Sequence, residues 1–291
     1  MNFGVCLAGG GVKGAAHVGF LKALEEENIR IDAIAGTSSG SIVATLHAVG
    51  YSADEIYQIF KKYCKKIKYV DFVNIIKLIL GIIFTGRIVI DGLNSGKQIE
   101  KLIDKVCKNK QIHNISQIKK PLIIPSVDMC KGNVICFTSC RGCLEHNNRG
   151  DFSDEVIFSQ NMPIGKAVRA SCSYPGVFSP CPYQNTKLID GGIRENVPWK
   201  ELKMMGVNKV LNVTFEDEVD ANCCKNLIEV ASRSIGLICR ELAIYEMEGS
   251  EDVIKIKSNK IGLLDMDKID ELYWLGYHQT KKQIKWIKNL I

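Results

Sequence analysis

Three short turns in this 291-residue chain hold the residue types that covalent chemistry needs. The first reads GGGVKG, from Gly9 to Gly14, between an apolar run and a helical pattern. Glycines allow positive φ and let other atoms approach the backbone closely. Successive amides at a helix start face one concavity and attract negative charge. Such a nest suits a pyrophosphate, and it suits a tetrahedral oxyanion equally well. The second turn is Gly36-Thr37-Ser38-Ser39-Gly40, a GxSxG between an apolar strand and a helix of small residues. Gly36 and Gly40 lack the side chains that would clash at a sharp turn, so Ser38 projects as a candidate nucleophile. The third turn, Asp190-Gly191-Gly192, offers a carboxylate as candidate base.

Each turn taken alone has a plainer reading. Ser38 could cap a helix, and Asp-Gly is a common β-turn pair. Gly9, Gly11 and Gly14 also satisfy GxGxxG, and Asp32 follows Gly14 by 18 residues. That is close to where a ribose-binding acid sits, so a nucleotide-binding oxidoreductase of Rossmann type is a competing expectation. A P-loop is excluded, because no GKS or GKT closes the motif. The base for Ser38 allows two schemes. One is an α/β-hydrolase triad of Ser38, Asp190 and His278, although such folds place several strands before the nucleophile and here only one or two precede it. The other is a Ser38–Asp190 dyad that needs no histidine. His17, His47, His113 and His146 read as structural or surface residues.

The elements that must hold these turns alternate between strand and helix patterns. Apolar runs at 3–8, 31–35, 122–128, 134–138, 187–189, 207–214 and 253–256 read as strands. Helical spacing marks 15–27, 39–49, 95–108, 163–169, 223–246 and 267–290, the last as one or two helices. Ser52 and Glu55 form a capping box for a helix running to about Lys66. Lys131-Gly132-Asn133 turns one strand into the next. This alternation predicts an α/β fold with a mainly parallel sheet and helices on both faces. Nothing reads as an interdomain linker, so residues 1–291 are expected to form one domain.

Segment 72–90 is the most apolar, but Lys77 and Arg87 interrupt it, too early for a bilayer span. Two expectations remain for residues 70–92: a buried helix, or an apolar cap that touches membrane. Lys61, Lys62, Lys65, Lys66 and Lys68 precede it and would attract an anionic lipid surface. A catalytically silent lipid-binding module would use the same features. The net charge of +6 is too small a bias to name nucleic acid as partner. The twelve cysteines come without a signal-peptide pattern, so a cytoplasmic location and free thiols are expected. Cys130, Cys136, Cys140 and Cys143 cluster, and Cys140 and Cys143 form a CxxC that would be a metal or redox pair if it is not simply packed.

GGGVKG, then GTSSG, then DGG, in that order and spacing, resemble the patatin-like phospholipase family. AVRASCSYPGVFSP, ahead of Asp190, is similar to the family as well. The resemblance covers roughly residues 3–285 and is to small bacterial single-domain members. It implies a three-layer α/β/α fold and a serine lipid acyl hydrolase of phospholipase A or lysophospholipase type, without cofactor or metal. It implies that Ser38 is the nucleophile and Asp190 its partner. The amides of Gly10, Gly11 and Val12 would form the oxyanion hole, and Lys13 and Arg169 would meet anionic lipid groups. Gly9, Gly14, Gly36, Gly40, Gly191 and Gly192 are the motif glycines. Ala8 departs from the more polar residue of plant members. The implied partner is a phospholipid or other acyl lipid, met at the inner membrane face.

Overall fold

A computed structural model describes residues 1–63, 71–148, 156–216, 227–250, 252–258 and 261–291. Strand β1 (Phe3–Leu7) leads through the glycine turn into helix α1 (Gly14–Glu26), and β2 (Ala33–Gly36) leads through the serine turn into α2 (Ser39–Val49). Helix α3 (Ala53–Tyr63) carries the expected capping box: Glu55 accepts the Ser52 amide at 2.8 Å, and the Ser52 hydroxyl accepts the Glu55 amide at 3.2 Å. Then come α4 (Phe72–Thr85), β3 (Gly92–Asn94), α5 (Lys97–Lys108), β4 (Leu122–Asp128), β5 (Val134–Thr138), β6 (Val156–Ser159) and α6 (Ile164–Ser171). The chain continues as β7 (Gly176–Phe178), β8 (Cys181–Tyr183), β9 (Thr186–Asp190), α7 (Trp199–Met204), β10 (Lys209–Glu216), α8 (Leu227–Glu246), β11 (Val253–Lys257) and α9 (Ile269–Leu290).

The main sheet runs β11-β10-β1-β2-β4-β5-β6, with β9 and β8 added beside β4. All neighbours from β11 to β4 are parallel. β1 and β4 are buried at every residue, as strands covered on both faces must be. This is the α/β arrangement, helices on both faces of a largely parallel sheet, that the alternating pattern predicts. The last helix is one unbroken element.

One departure from a plain parallel sheet makes the site. β5 lies along one edge of β4 over Ile123–Val127. The other edge is shared: β2 pairs with Leu122 and Ile123, and antiparallel β9 pairs with Ser126, Val127 and Asp128. β2 and β9 therefore run head-on along the same edge. Ser38 lies two residues past the end of β2, and Asp190 is the last residue of β9.

Segment 72–90 is not a core helix. In α4 only Gly81 is buried, while Phe72, Ile83 and Phe84 are 73%, 68% and 79% exposed. Asp71 caps the helix by accepting the Val73 amide, and Asn74 donates to the Gly92 carbonyl in β3. The chain then folds back, so that Val89 packs on Gly81. Among the described residues no helix is long and apolar enough to cross a membrane. Lys61 pairs with Asp270 at 3.1 Å. Lys65, Lys66 and Lys68 lie outside the described residues.

Candidate active site

Ser38 sits at φ 51° and ψ −122°, a left-handed conformation that costs a residue with a side chain about 1–3 kcal/mol. The turn leaves no alternative. A side chain on Gly40 would strike the carbonyls of Leu7 and Ala8, and one on Gly36 would strike the backbone of Gly40. The elbow is pinned from three sides: the Thr37 amide donates to the Leu7 carbonyl, the Thr37 hydroxyl to the Glu195 carbonyl, and the Ser38 amide to Ser171 Oγ at 3.0 Å. Thr37, Ser39 and Gly40 are buried and Ser38 is half-buried, so the strain presents one hydroxyl.

Asp190 is 2% exposed. Its Oδ1 accepts the Gly192 amide at 2.8 Å, and its Oδ2 is buried without a partner. Burial pushes the carboxyl up to about 7, against the pull of the Ser38 hydroxyl and the Gly192 amide, both of which favour the charged form. Serine and aspartate are thus neighbours that have not closed into a standard hydrogen bond, a common state before substrate arrives. Cys172 lies against the same pair, its thiol pushed up by burial and by the Asp190 charge.

The glycine turn lies beside the elbow, because β1 and β2 are adjacent parallel strands with Leu7 opposite Gly36. Gly9, Gly10 and Gly11 are half-buried, and among the described residues the amides of Gly10 and Gly11 have no hydrogen-bond partner. Val12 differs: its amide donates to the Leu263 carbonyl at 2.8 Å. Gly11 is at φ +59°, and a side chain there would strike the same carbonyl. The oxyanion role that the resemblance gives Val12 is therefore corrected, since its N–H is already engaged. That leaves the amides of Gly10 and Gly11 without a partner among the described residues.

Two further expectations change. Arg169 is 7% exposed and donates to Glu100 at 3.0 Å, tying α6 to α5, so its charge is neutralised inside the fold. Lys13 is 3% exposed, with its ammonium 6.0 Å from the centre of the Phe215 ring. Neither side chain stands open to a lipid headgroup. His278 is exposed and stacks on Trp274, and the orphaned Oδ2 shows that no imidazole rests on Asp190. The triad is not assembled. His17 is buried, its Nε2 2.8 Å from the Ala8 carbonyl, and burial lowers it to about 4, so it is a neutral strut.

The dinucleotide alternative fails on strand direction. Asp32 precedes β2 and accepts the amides of Asn2 and Phe3 at the amino end of the sheet. A ribose-binding acid belongs at the carboxyl end, beside the glycine turn.

Sequence reading missed two residues. Ser171 holds the Ser38 amide. Asn196 Oδ1 accepts the Gly9 amide at 2.8 Å and lies beside Gly192, linking the glycine turn to the aspartate turn. Asn196 is fixed in its turn by Glu246, whose Oε2 accepts the amides of Asn196 and Val197 at 2.9 and 3.0 Å. Burial pushes the Glu246 and Glu201 carboxyls up. An asparagine six residues beyond an aspartate carries no sequence signal of its own.

Comparisons with known proteins point to one family and fold. Uncharacterized protein YqhO of Bacillus subtilis is 30% identical over 286 residues, covering 95% of this chain and 90% of that one. Patatin-like phospholipase domain-containing protein 6 of Homo sapiens is 23% identical over 94% of this chain, which spans only 20% of the human protein's length. The structure of VipD from Legionella pneumophila shares the fold, with a TM-score of 0.50 at 15% identity over 98% of this chain and 66% of that one. The family model described as patatin-like phospholipase matches residues 5–203, from the strand before the glycine turn to beyond the aspartate turn. This chain belongs to the patatin-like phospholipase family.

Proposed function

We propose that the protein hydrolyses carboxylic esters of lipids through a Ser38–Asp190 dyad, with the amides of Gly10 and Gly11 as the oxyanion hole. The observation that carries this reading is the orphaned, buried Oδ2 of Asp190 beside a strained, half-exposed Ser38. In the first step Asp190 takes the Ser38 proton as Oγ attacks the acyl carbon. The carbonyl oxygen becomes an oxyanion facing the two glycine amides, where losing one donor costs about 3 kcal/mol. Collapse expels the alcohol, which leaves with the proton from Asp190, and the acyl group stays on Ser38. Water then attacks the acyl carbon while Asp190 takes its proton. The second collapse releases the fatty acid and returns the proton to Ser38. The chain's own groups handle every proton and charge.

The lipid nature of the substrate is supported by the family and by where the apolar surface lies. Segment 174–178 follows Ser171, the residue that holds the Ser38 amide. Tyr174 in that segment donates to the Ser232 carbonyl in α8, and β7 pairs with β3, the anchor of α4. Two helices with exposed apolar side chains, among them Ile83 and Phe84 in α4 and Leu237 and Ile238 in α8, are thus linked to the segment that follows Ser171. This placement suits a protein that works peripherally on a membrane surface and draws an acyl chain from it.

The test is mass spectrometry of the products from a mixed lipid extract, wild type against Ser38→Ala. Free fatty acid together with the matching deacylated lipid, formed by the wild type alone, supports the reading and names the substrate. Equal product profiles would remove it.

A further inference from the structure

The ester chemistry leaves the CxxC of Cys140 and Cys143 unused. After β5 ends at Thr138, Cys140 stands just ahead of a 3-10 stretch, Arg141–Asn148. Residues i and i+3 eclipse in that geometry. The two thiols are neighbours on one apolar cluster, with Cys143 buried within it and Cys140 packed against it. Their surroundings differ. Cys143 is 1% exposed, while Cys140 is half-buried. Arg141 and Gly142 between them are exposed. Cys140 is the more exposed of the two cysteines.

A hydroxyl serves both cysteines. Thr138 Oγ1 accepts the Cys140 amide at 3.1 Å. The same hydroxyl is close to the Cys143 thiol and favours its thiolate. Burial and the neighbouring Cys140 act the other way and push the Cys143 thiol up to about 12. Cys140 is therefore the more accessible thiol, and Cys143 is the buried one beside it. Among the described residues no group of three or more His, Cys, Asp or Glu is arranged to hold a metal ion.

We propose that Cys140 and Cys143 are a redox-active dithiol that closes to an intramolecular disulfide by exchange with a low-molecular-weight disulfide. The Cys140 thiolate attacks one sulfur of the small disulfide and forms a mixed disulfide, and the expelled thiolate takes up a proton. Cys143 then gives up its proton and attacks the Cys140 sulfur, expelling the second small thiolate, which is protonated in turn. The dithiol loses two electrons and two protons, and the small disulfide becomes two thiols. Cys136 is the rival partner, since it also lies beside Cys143, but it is fully buried within β5. No small disulfide reaches it without opening the sheet.

The experiment equilibrates the full chain with a series of oxidised and reduced glutathione buffers, quenches with an alkylating agent and maps the peptides by mass spectrometry. The expected result is a reversible Cys140–Cys143 disulfide, with Cys6 and Cys136 still alkylatable after denaturation. Cys143→Ser should stop at glutathione on Cys140, and Cys140→Ser should leave Cys143 unmodified. Thiols at both positions in the most oxidising buffer, a Cys136–Cys143 bond, or zinc lost on replacing either cysteine would overturn the proposal. The wild-type map decides the matter even where a variant fails to fold, and no readout depends on ester hydrolysis.

Discussion

In water an aspartate is a poor base for a serine hydroxyl, and the burial of Asp190 narrows that gap. Its carboxyl, raised to about 7, holds a proton far more tightly than an exposed aspartate, and in the proposed dyad it would draw one more strongly from Ser38. The raised value fixes the sign of the pH dependence. Below it Asp190 is protonated and cannot accept, so kcat/KM on a soluble ester should rise about tenfold per pH unit up to about 7 and level off above. Glu246 and Glu201 are also raised by burial. The same limb measured in Glu246→Gln and in Glu201→Gln keeps the assignment on Asp190, and a limb that vanishes in either variant removes it. Asn196 acts one bond further out, as a positioning residue for the Gly9 amide. Asn196→Ala should lower kcat about tenfold with KM little changed, and Asn196→Asp, which keeps the acceptor, should recover part of the loss. Ser38 and Asp190 stand out in the sequence because glycines flank them. The engagement of Val12 with Leu263 and of Arg169 with Glu100 does not, because each depends on a partner distant in the chain.

At the scale of elements, α4 asks most of solvent. Ile79, Leu80, Ile82, Ile83 and Phe84 are all about half exposed or more, a run of apolar surface that water alone does not favour. Leu80→Ser with Ile83→Ser should leave turnover of a short soluble ester within about twofold, because exposed positions contribute little to folding. The same pair should lower hydrolysis of anionic vesicles by about tenfold or more through lost insertion. Parallel loss of both activities would mean that α4 supports the fold and not the membrane contact. The sequence showed that this segment was apolar and too short to span, and left open which way it faced. The first turn is where the helix is tied to β3, by the Asp71 amide to the Leu93 carbonyl and by Asn74 to the Gly92 carbonyl. The long, fully buried strands were legible from their apolar runs. Strands β3, β7 and β8, of three residues each, were not, since their existence depends on partners rather than on any local pattern.

Over the whole molecule, the site is a product of topology. One edge of β4 carries β2 at its start and β9 at its end, and their opposed directions bring two distant turns together. The motif order was readable in the sequence, and so was the alternation that predicts a parallel sheet. The antiparallel insertion of β9 was not, because a short strand running into Asp-Gly-Gly gives no sign of its neighbour or its direction. The same topology rejects Asp32, which enters β2 at the amino end, and His278, which α9 carries to the surface. The central claim is that this junction makes one serine nucleophilic. The most direct measurement treats the folded protein with a fluorophosphonate and maps the adduct by peptide mass spectrometry, in wild type and in Asp190→Asn. The account predicts a single adduct on Ser38 that forms at least about a hundredfold more slowly in Asp190→Asn. An adduct on Ser171 or Ser173 instead, or equal labelling of Ser38 without the carboxylate, would contradict it.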